Sequence, residues 1–276
     1  MKFKILILSL FFLSFHLSGQ VDGWGIPKII DFPRLDKISL DNQGFIFLAD
    51  LEGNLYQYSK DAKFLNNFSP PRQGSLSQLE AFWTVNIFTF SADLQEYRIL
   101  DRFINPVAEN RIPMDLINLA KAATLGNNNI IWVFDETDLS LKQFDYIRNR
   151  IIQNQPLNLI IDRSSLEIVD IKEYQNLLFL NIRDEGVFIL DNQGNFIKKL
   201  MAKPTQKLGF WKGYLIYLED DKIVLLNFQS EKVESINIPT GIKAKGILVN
   251  QNQIHFYDAN QVWIFDKSKT PANGIF

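Results

Sequence analysis

The chain has 276 residues, of which 46% are hydrophobic and 13% aromatic, and its formal net charge is −2. This length can bury the core of one large domain, and the absence of a basic excess argues against nucleic acid as a partner. Because the chain has no cysteine, disulfide bonds, thiolate metal sites and cysteine nucleophiles are excluded.

Residues 1–19 have the features of a secretory signal segment. Lys2 and Lys4 form a basic start, residues 5–15 are an apolar run, and small residues precede Gln20. The apolar run is shorter than the roughly 20 residues that a membrane-spanning helix needs, so an uncleaved anchor is the weaker alternative. We expect a mature chain that is exported to the periplasm or cell surface, has no membrane span, and has no lipid anchor because it has no cysteine.

A pattern of short strands repeats from residue 35 onward. Residues 44–68 show it most clearly, with three apolar strands separated by two polar turns. The second strands of six such units begin 40, 45, 47, 37 and 39 residues apart, at Phe45, Val85, Ile130, Leu177, Tyr214 and Gln253. Six four-stranded units of about 40 residues predict an all-β fold, a six-bladed β-propeller that occupies residues 20–276 as one domain.

The two ends of the chain complement each other in this prediction. The sixth unit has no fourth strand, because residues 267–276 are short, polar and interrupted by Pro271 and Gly274. Residues 26–32 form a spare strand before the first unit. We expect this strand to close the ring at the outer edge of the last blade, which removes an open sheet edge. A loose N-terminal arm is the alternative.

Residues 114–125 do not follow the strand pattern. Their apolar residues are spaced as in a short helix, yet the third blade needs an inner strand near residues 119–125. Either a helix precedes a short strand or this blade is irregular, and the sequence leaves both open.

Two units carry a family resemblance. Residues 48–58 and 186–199 each have an apolar strand, an Asp/Asn–Gly turn and a second apolar strand. In this the chain resembles the NHL-type and gluconolactonase-like six-bladed propellers over residues 35–266, although the turn at Asp93 has no glycine. The composition also resembles that of exported proteins of the Bacteroidota. The resemblance implies the propeller fold and, for the gluconolactonase-like enzymes, a divalent metal held by Glu, Asn and Asp in the central channel.

Acidic turns follow the second strands, and a propeller places these turns on one face. Two long joins, residues 69–74 and 105–115, are predicted on the same face, where proline stiffens the chain for contact. The candidate binding face consists of Asp50, Arg72, Asp93, Glu109, Arg111, Asp135, Asp184, Asp220, Asp258 and Trp211. The alternative is that the acids are ordinary turn residues and the joins are spacers.

Catalytic and metal sites receive little support from the sequence. The inner strands offer Asp36, Glu80, Glu167, Asp170 and Lys245, with Asn118 nearby, but no family motif matches them. His255 is the only histidine after the leader, and we expect a hydrogen-bonded packing residue. We expect no catalytic, metal or cofactor site.

Aromatic residues are candidates for a glycan or protein contact. Trp211 lies near a predicted turn between first and second strands, and the Phe82–Trp83 pair occupies the corresponding place in the second unit. Exposure of either would favour binding.

These observations favour an exported, non-catalytic propeller that binds another envelope or secreted protein as a scaffold. A metal-dependent lactonase- or lyase-like enzyme and a glycan-binding propeller are the alternatives.

Overall fold

The computed structural model describes residues 23–81, 86–161 and 166–275. These residues form six antiparallel sheets of four strands each. In the first five sheets the four strands follow one another in sequence, from the innermost strand to the outermost. The sixth sheet combines three C-terminal strands with one N-terminal strand. The six-bladed β-propeller predicted from the repeat is confirmed.

The strand boundaries follow the predicted units. In chain order the strands are β1 (Lys28–Asp31), β2 (Leu35–Leu40), β3 (Ile46–Asp50), β4 (Leu55–Tyr58), β5 (Phe64–Phe68), β6 (Gln78–Glu80), β7 (Ile87–Ser91), β8 (Glu96–Leu100), β9 (Pro106–Arg111), β10 (Ala120–Leu125), β11 (Ile130–Asp135), β12 (Ser140–Asp145), β13 (Arg150–Pro156), β14 (Ile168–Tyr174), β15 (Leu177–Ile182), β16 (Gly186–Leu190), β17 (Phe196–Leu200), β18 (Gly209–Trp211), β19 (Tyr214–Glu219), β20 (Lys222–Asn227), β21 (Val233–Asn237), β22 (Gly246–Val249), β23 (Gln253–Tyr257) and β24 (Gln261–Asp266). Two short 3₁₀ helices cover Leu157–Leu159 and Lys267–Lys269. Within the described ranges, no helix has the length and apolar character needed to cross a bilayer.

The N-terminal strand closes the ring, as predicted. β1 pairs antiparallel with β24, with Lys28 opposite Ile264 and Asp31 opposite Gln261. The sixth blade therefore has the order β1-β24-β23-β22 from rim to axis. Each ladder bond that β1 supplies satisfies a backbone group that would otherwise lie at an open sheet edge.

The core lies between the blades. Six apolar clusters each join a pair of successive blades, and the sixth cluster joins the last blade to the first. Between blades four and five, Phe179 packs edge-on against Phe228 with ring centroids 5.2 Å apart. At the closure seam, Ile30 and Phe32 pack with residues of blades one and six. The alternating apolar residues of each strand therefore serve two interfaces, one on each side of the blade.

The structure settles one question that the sequence left open and corrects one expectation. Residues 114–125 form no helix: a single turn, closed by the N–H groups of Leu116 and Ile117 on the Pro113 carbonyl, leads into β10. The proposed join at residues 105–115 is wrong in its first part, because residues 106–111 are strand β9, the fourth strand of blade two. The connection to blade three is residues 112–119. Pairing of β9 with β8 overrode the loop-like, polar composition of this segment.

Candidate functional site

The connections between strands define two faces of the ring. In an antiparallel blade the turn between the second and third strands lies at the same end as the join to the next blade. We call this end the join face, and the end with the other two turns the reverse face. The backbone N–H of Gly74, in the first join, donates to the carbonyl of Glu52, in the second-to-third turn of blade one, at 2.9 Å. These two kinds of connection therefore contact each other.

Most of the candidate binding residues lie on the join face. Arg72 lies in the join between blades one and two, and Arg111 ends β9. The aspartates at the second-to-third turns are Asp50, Asp93, Asp135, Asp184, Asp220 and Asp258. Glu109 lies within the outer strand β9. Trp211 ends β18 at a first-to-second turn, so it lies on the reverse face and does not belong with the other nine.

The carboxylates of the join face do not form a continuous acidic ring. Asp50 accepts bonds from the N–H groups of Glu52 and Asn54, and Asp258 accepts from those of Asn260 and Gln261. These acids shape their own turns. Asp93 is exposed and accepts a bond from Ser75 Oγ at 3.1 Å, and Asp184 and Asp220 are exposed at turn positions with positive φ. The three exposed acids belong to three different blades.

Asp135 is a buried structural acid. Its carboxylate is fully enclosed and lies 2.6 Å from Lys142 Nζ. Burial favours the neutral acid, but the bond from Lys142 and those from the N–H groups of Thr137, Asn118 and Leu119 outweigh it and hold the pKa of Asp135 below its usual value. Asp135 therefore anchors the start of blade three and is not available to a partner.

An ion-pair network on blade two brings three of the predicted residues together. Glu96 is nearly buried and is paired with Arg72, with Arg98 at 3.0 Å and with Arg111 at 3.5 Å. Arg98, also buried, reaches Glu109 at 3.3 Å. We call these five residues the arginine cluster. It contains three cations and two anions, and the side chains of Arg72 and Arg111 are 47% and 62% exposed, so its surplus positive charge faces solvent.

Glu96 and Arg98 were not predicted as site residues from the sequence. Both lie on β8, a strand that was recognised, and they alternate with apolar residues. The sequence did contain a signal for them, namely two opposite charges two residues apart on one face of a predicted strand. Only the fold shows that Arg72 and Arg111 reach the same carboxylate, because they are separated by 39 positions in the chain.

Large apolar side chains are exposed on the join face of successive blades. They are Leu51, Met114, Leu119, Leu159 and Met201. Met114, Leu159 and Met201 are more than 70% exposed, and each lies in a different join. We call these five residues the apolar arc. The sequence analysis did not identify them, because isolated apolar residues in loops cannot be distinguished from buried ones before the joins are placed.

The central channel contains a hydrogen-bonded network of polar side chains. Glu80 accepts bonds from Thr124 Oγ1 at 2.8 Å and from Gln78 Nε2 at 2.6 Å. Asp170 accepts from Lys207 Nζ at 3.1 Å and from the Leu208 N–H at 2.8 Å. Burial raises the pKa of Glu80, although Lys172 and the hydrogen bonds oppose this. The space beside Gln78, Asp170 and Lys207 is about 30 Å³. At the join-face end of the inner strands the channel widens to a cavity of about 320 Å³, whose lining includes Lys121, Ile168 and Lys207.

Three of the six polar residues named for the inner strands lie in this network. Besides Glu80 and Asp170, Asp36 bonds to Lys37 beside the channel at 2.7 Å. Glu167 is exposed and pairs with Arg183, and Lys245 and Asn118 are exposed. In the described part of the chain, no group of three or more His, Asp or Glu residues is arranged to hold a metal ion.

His255 is fully enclosed in the seam between blades six and one. It lies opposite Leu248 and Ile264 on the neighbouring strands, and both belong to the seam cluster. The expected role as a packing residue is therefore correct, while neither ring nitrogen has a hydrogen-bond partner of regular geometry among the described residues. Burial lowers the pKa of His255 to about 3, opposed only by a weak interaction with the backbone of Leu248.

Trp211 is half-buried on the reverse face. Its ring packs in the cluster between blades five and six, and Lys267 Nζ lies 4.1 Å from the ring centroid. This arrangement is a cation–π contact, so the exposed indole that would favour binding is covered. The Phe82–Trp83 pair lies outside the described residues.

No protein-family model and no curated protein sequence matches this chain. Solved propeller structures do match it. The Pan2 WD40 domain of Neurospora crassa matches with a TM-score of 0.55 at 14% identity, covering 83% of this chain and 80% of that one. A catalytically inactive virginiamycin B lyase from Staphylococcus aureus, solved with quinupristin, gives 0.55 at 13% identity, covering 84% and 80%. A chain of a mitotic checkpoint complex gives 0.58 at 11% identity, covering 92% and 98%. At these identities the similarity establishes the fold alone.

Proposed function

We propose that this chain is an exported, non-catalytic propeller that binds another protein through its join face. The observation that carries the proposal is the apolar arc. Exposed apolar patches on a protein surface mark interaction sites, and the arc places large apolar side chains on three consecutive joins of one face. Propellers also present rigid surfaces on which loops make the contacts.

The arginine cluster gives this face a second feature of interfaces. Arginine and methionine are both enriched in protein interfaces, and the join face exposes Arg72, Arg111, Met114 and Met201. Glu96 holds the two exposed guanidinium groups in place. A partner with apolar side chains beside carboxylates fits this combination, because the guanidinium groups would accept the carboxylates while the arc covers the apolar part.

The channel favours a scaffold over an enzyme. Its carboxylates, Glu80 and Asp170, are bonded to neighbouring side chains and backbone, so they serve to hold the inner strands together. The virginiamycin B lyase similarity does not supply a role for His255, because His255 is enclosed in the blade seam. The proposal therefore assigns the channel to stability.

The proposed location is the envelope, with another envelope or secreted protein as partner. It rests on residues 1–19 and on the resemblance of the sequence to NHL-type propellers and to exported proteins of the Bacteroidota. Sequencing the N-terminus of the mature protein from its native host checks this part. A mature chain that starts at or near Gln20 supports it, and a retained Met1 contradicts it.

The binding face is tested by a triple substitution of Met114, Leu159 and Met201 to serine. All three side chains are exposed, so the change should leave the melting temperature within a few degrees of that of the parent. We expect the variant to lose a partner that the parent captures from native envelope extract. The control is a variant in which Phe103 and Ile147 are also replaced with serine. Both are exposed at third-to-fourth turns on the reverse face.

A second variant tests the cationic part. Replacing Arg111 with glutamine removes one exposed charge and keeps Glu96 paired with Arg72 and Arg98. Capture should weaken most at low salt. If the join-face variants keep every partner while the reverse-face control loses them, the face assignment is wrong.

A further inference from the structure

A polar cleft on the reverse face lies where the two ends of the chain meet. Its walls come from the segment before β1, two turns of blade one, the first turn of blade six and the segment after β24. Its volume is about 630 Å³, within the range of about 300–1,000 Å³ that is typical of small-molecule sites. The cleft exists only in the closed ring, because no single blade contributes all its walls.

The charge of the cleft is opposite to that of the whole chain. Four lysines, Lys28, Lys60, Lys267 and Lys269, line it together with a single acid, Asp266. Lys28 is already paired with Asp61 at 2.6 Å, and Lys269 lies 3.6 Å from Asp266. The four lysines together with Asp266 and Asp61 have a formal charge of +2, on a protein whose formal net charge is −2. A local positive field in a concave site concentrates anions.

Side-chain amides supply the rest of the lining. Those of Asn42, Gln43, Gln251 and Asn252 are exposed, and within the described residues they make no side-chain hydrogen bond to the protein. Each amide offers two donors and one acceptor. This density of unengaged groups suits a ligand that carries many hydroxyl groups.

The cleft offers little apolar surface to a ligand. Trp24 lies among its lining residues but is only 3% exposed, and the exposed apolar side chain is Ile26 at its edge. A peptide or a lipid would need pockets for apolar groups. We infer that this cleft binds an acidic oligosaccharide, whose carboxylates pair with Lys60 and Lys269 and whose hydroxyl groups bond to the amides.

Such a ligand would also hold the ring closed. It would contact the N-terminal segment, blade one and the C-terminal segment at once, and these parts separate if β1 leaves β24. A ligand that binds only the closed state stabilises it by mass action. Binding should therefore raise the melting temperature as well as produce heat.

The test uses the mature chain and three oligomers of equal length. Tetragalacturonate is the acidic sugar, maltotetraose the neutral sugar and tetraglutamate the acidic peptide. We expect calorimetry to detect tetragalacturonate at concentrations below ~1 mM, no binding of maltotetraose, and weaker affinity at higher salt. The melting temperature should rise with tetragalacturonate alone.

Substitutions of exposed lysines locate the site. The double variant Lys60→Gln and Lys269→Gln should weaken binding by at least about tenfold without changing the melting temperature of the free protein. Lys243→Gln is the matched control, because Lys243 is exposed in the join before blade six, on the other face. It should leave affinity unchanged.

Four results overturn the inference: no binding of tetragalacturonate, equal binding of maltotetraose, tighter binding of tetraglutamate, or unchanged affinity in the double variant. The third would assign the cleft to acidic peptides.

Discussion

Replacing His255 with leucine should remove a pH dependence of stability that originates in the closure seam. The imidazole is fully buried between blades six and one, opposite Leu248 and Ile264. Leucine has a similar volume and leaves no ring nitrogen without a partner. At neutral pH we therefore expect the variant to be at least as stable as the parent, because an unpaired buried polar group costs free energy.

The magnitude follows from the lowered pKa. The pKa of His255 is about 3 in the folded chain, against 6.5 for an ordinary histidine. The unfolded chain therefore binds more protons between these two values. The free energy of unfolding of the parent is therefore unaffected by His255 protonation above the unfolded pKa. It decreases as the pH falls from the unfolded pKa towards the folded pKa. At 1.36 kcal/mol per pH unit, the loss between about pH 7.5 and pH 4.5 is about 2–3 kcal/mol.

The assay is urea unfolding of both proteins at several pH values across that range. The quantity to plot is the free energy of unfolding of the parent minus that of His255→Leu. Groups common to both proteins largely cancel in this difference, among them Glu80, whose pKa burial raises. We expect the difference to fall by about 2–3 kcal/mol from about pH 7.5 to pH 4.5. A Thr89→Val variant is the control. Thr89 is buried at the third position of the second strand of blade two, as His255 is in blade six, but it does not titrate.

A difference that stays constant with pH would refute the reasoning. It would mean that His255 has the same pKa in both states and that water or a partner solvates the ring in the folded chain. A Thr89→Val protein with the same pH slope as His255→Leu would refute it as well, since the slope would then arise from any change in a buried second strand.

Three further pairs of substitutions test the closure, the buried ion pair and two turns of blade one. Ile30→Ala should cost about 2–4 kcal/mol in urea unfolding, because Ile30 is 4% exposed in β1, whereas Ile29→Ala, at 49% exposure, should cost less than about 0.5 kcal/mol; equal costs would mean that β1 does not pack in the seam. Lys142→Met should lower the free energy of unfolding by about 3 kcal/mol, because it leaves Asp135 buried without its cation. Lys121→Met removes an exposed pair with Glu136 and should lower it by less than about 1 kcal/mol. A mild effect of Lys142→Met would show that water reaches Asp135. Ala62→Gly should stabilise the chain by about 0.5–1 kcal/mol, because Ala62 has a φ of 63°. Gly53→Ala should destabilise the chain, because Gly53 has a φ of 81° and the added Cβ would overlap the Gly74 carbonyl oxygen. A loss of thermal stability in Ala62→Gly would contradict the strain argument.

The regular part of the fold was predictable because it depends on local information. Alternating apolar residues specify strands, and polar turns at short intervals specify antiparallel neighbours. The Asp-initiated turns are an example: Asp191 accepts bonds from the N–H groups of Gln193 and Asn195, and Gly194 supplies the positive φ. Residues 106–111 were assigned to a join because their polar composition resembles a loop. They form a strand because β8 offers them a ladder.

The candidate site was predictable only in part. Asp135 was named because it follows a second strand, and this position is correct. Its burial against Lys142 depends on how blade three meets its neighbours, which no local pattern records. Trp211 was correctly placed beside a first-to-second turn but grouped with the wrong face. The alternation of antiparallel strands puts that turn at the opposite end of the blade from the second-to-third turns.

By itself, the sequence determined the number of repeats, most of the strands and the spare strand that closes the ring, but neither the outer strand of blade two nor the inner strand of blade three. These follow from periodicity and from the requirement that every strand edge finds a partner. Only the tertiary structure decided which charged groups share a carboxylate, which apolar residues of the joins stay exposed, and that the two chain ends form a basic cleft. These properties depend on distances between residues far apart in the chain, and such distances are set by the closure of the ring.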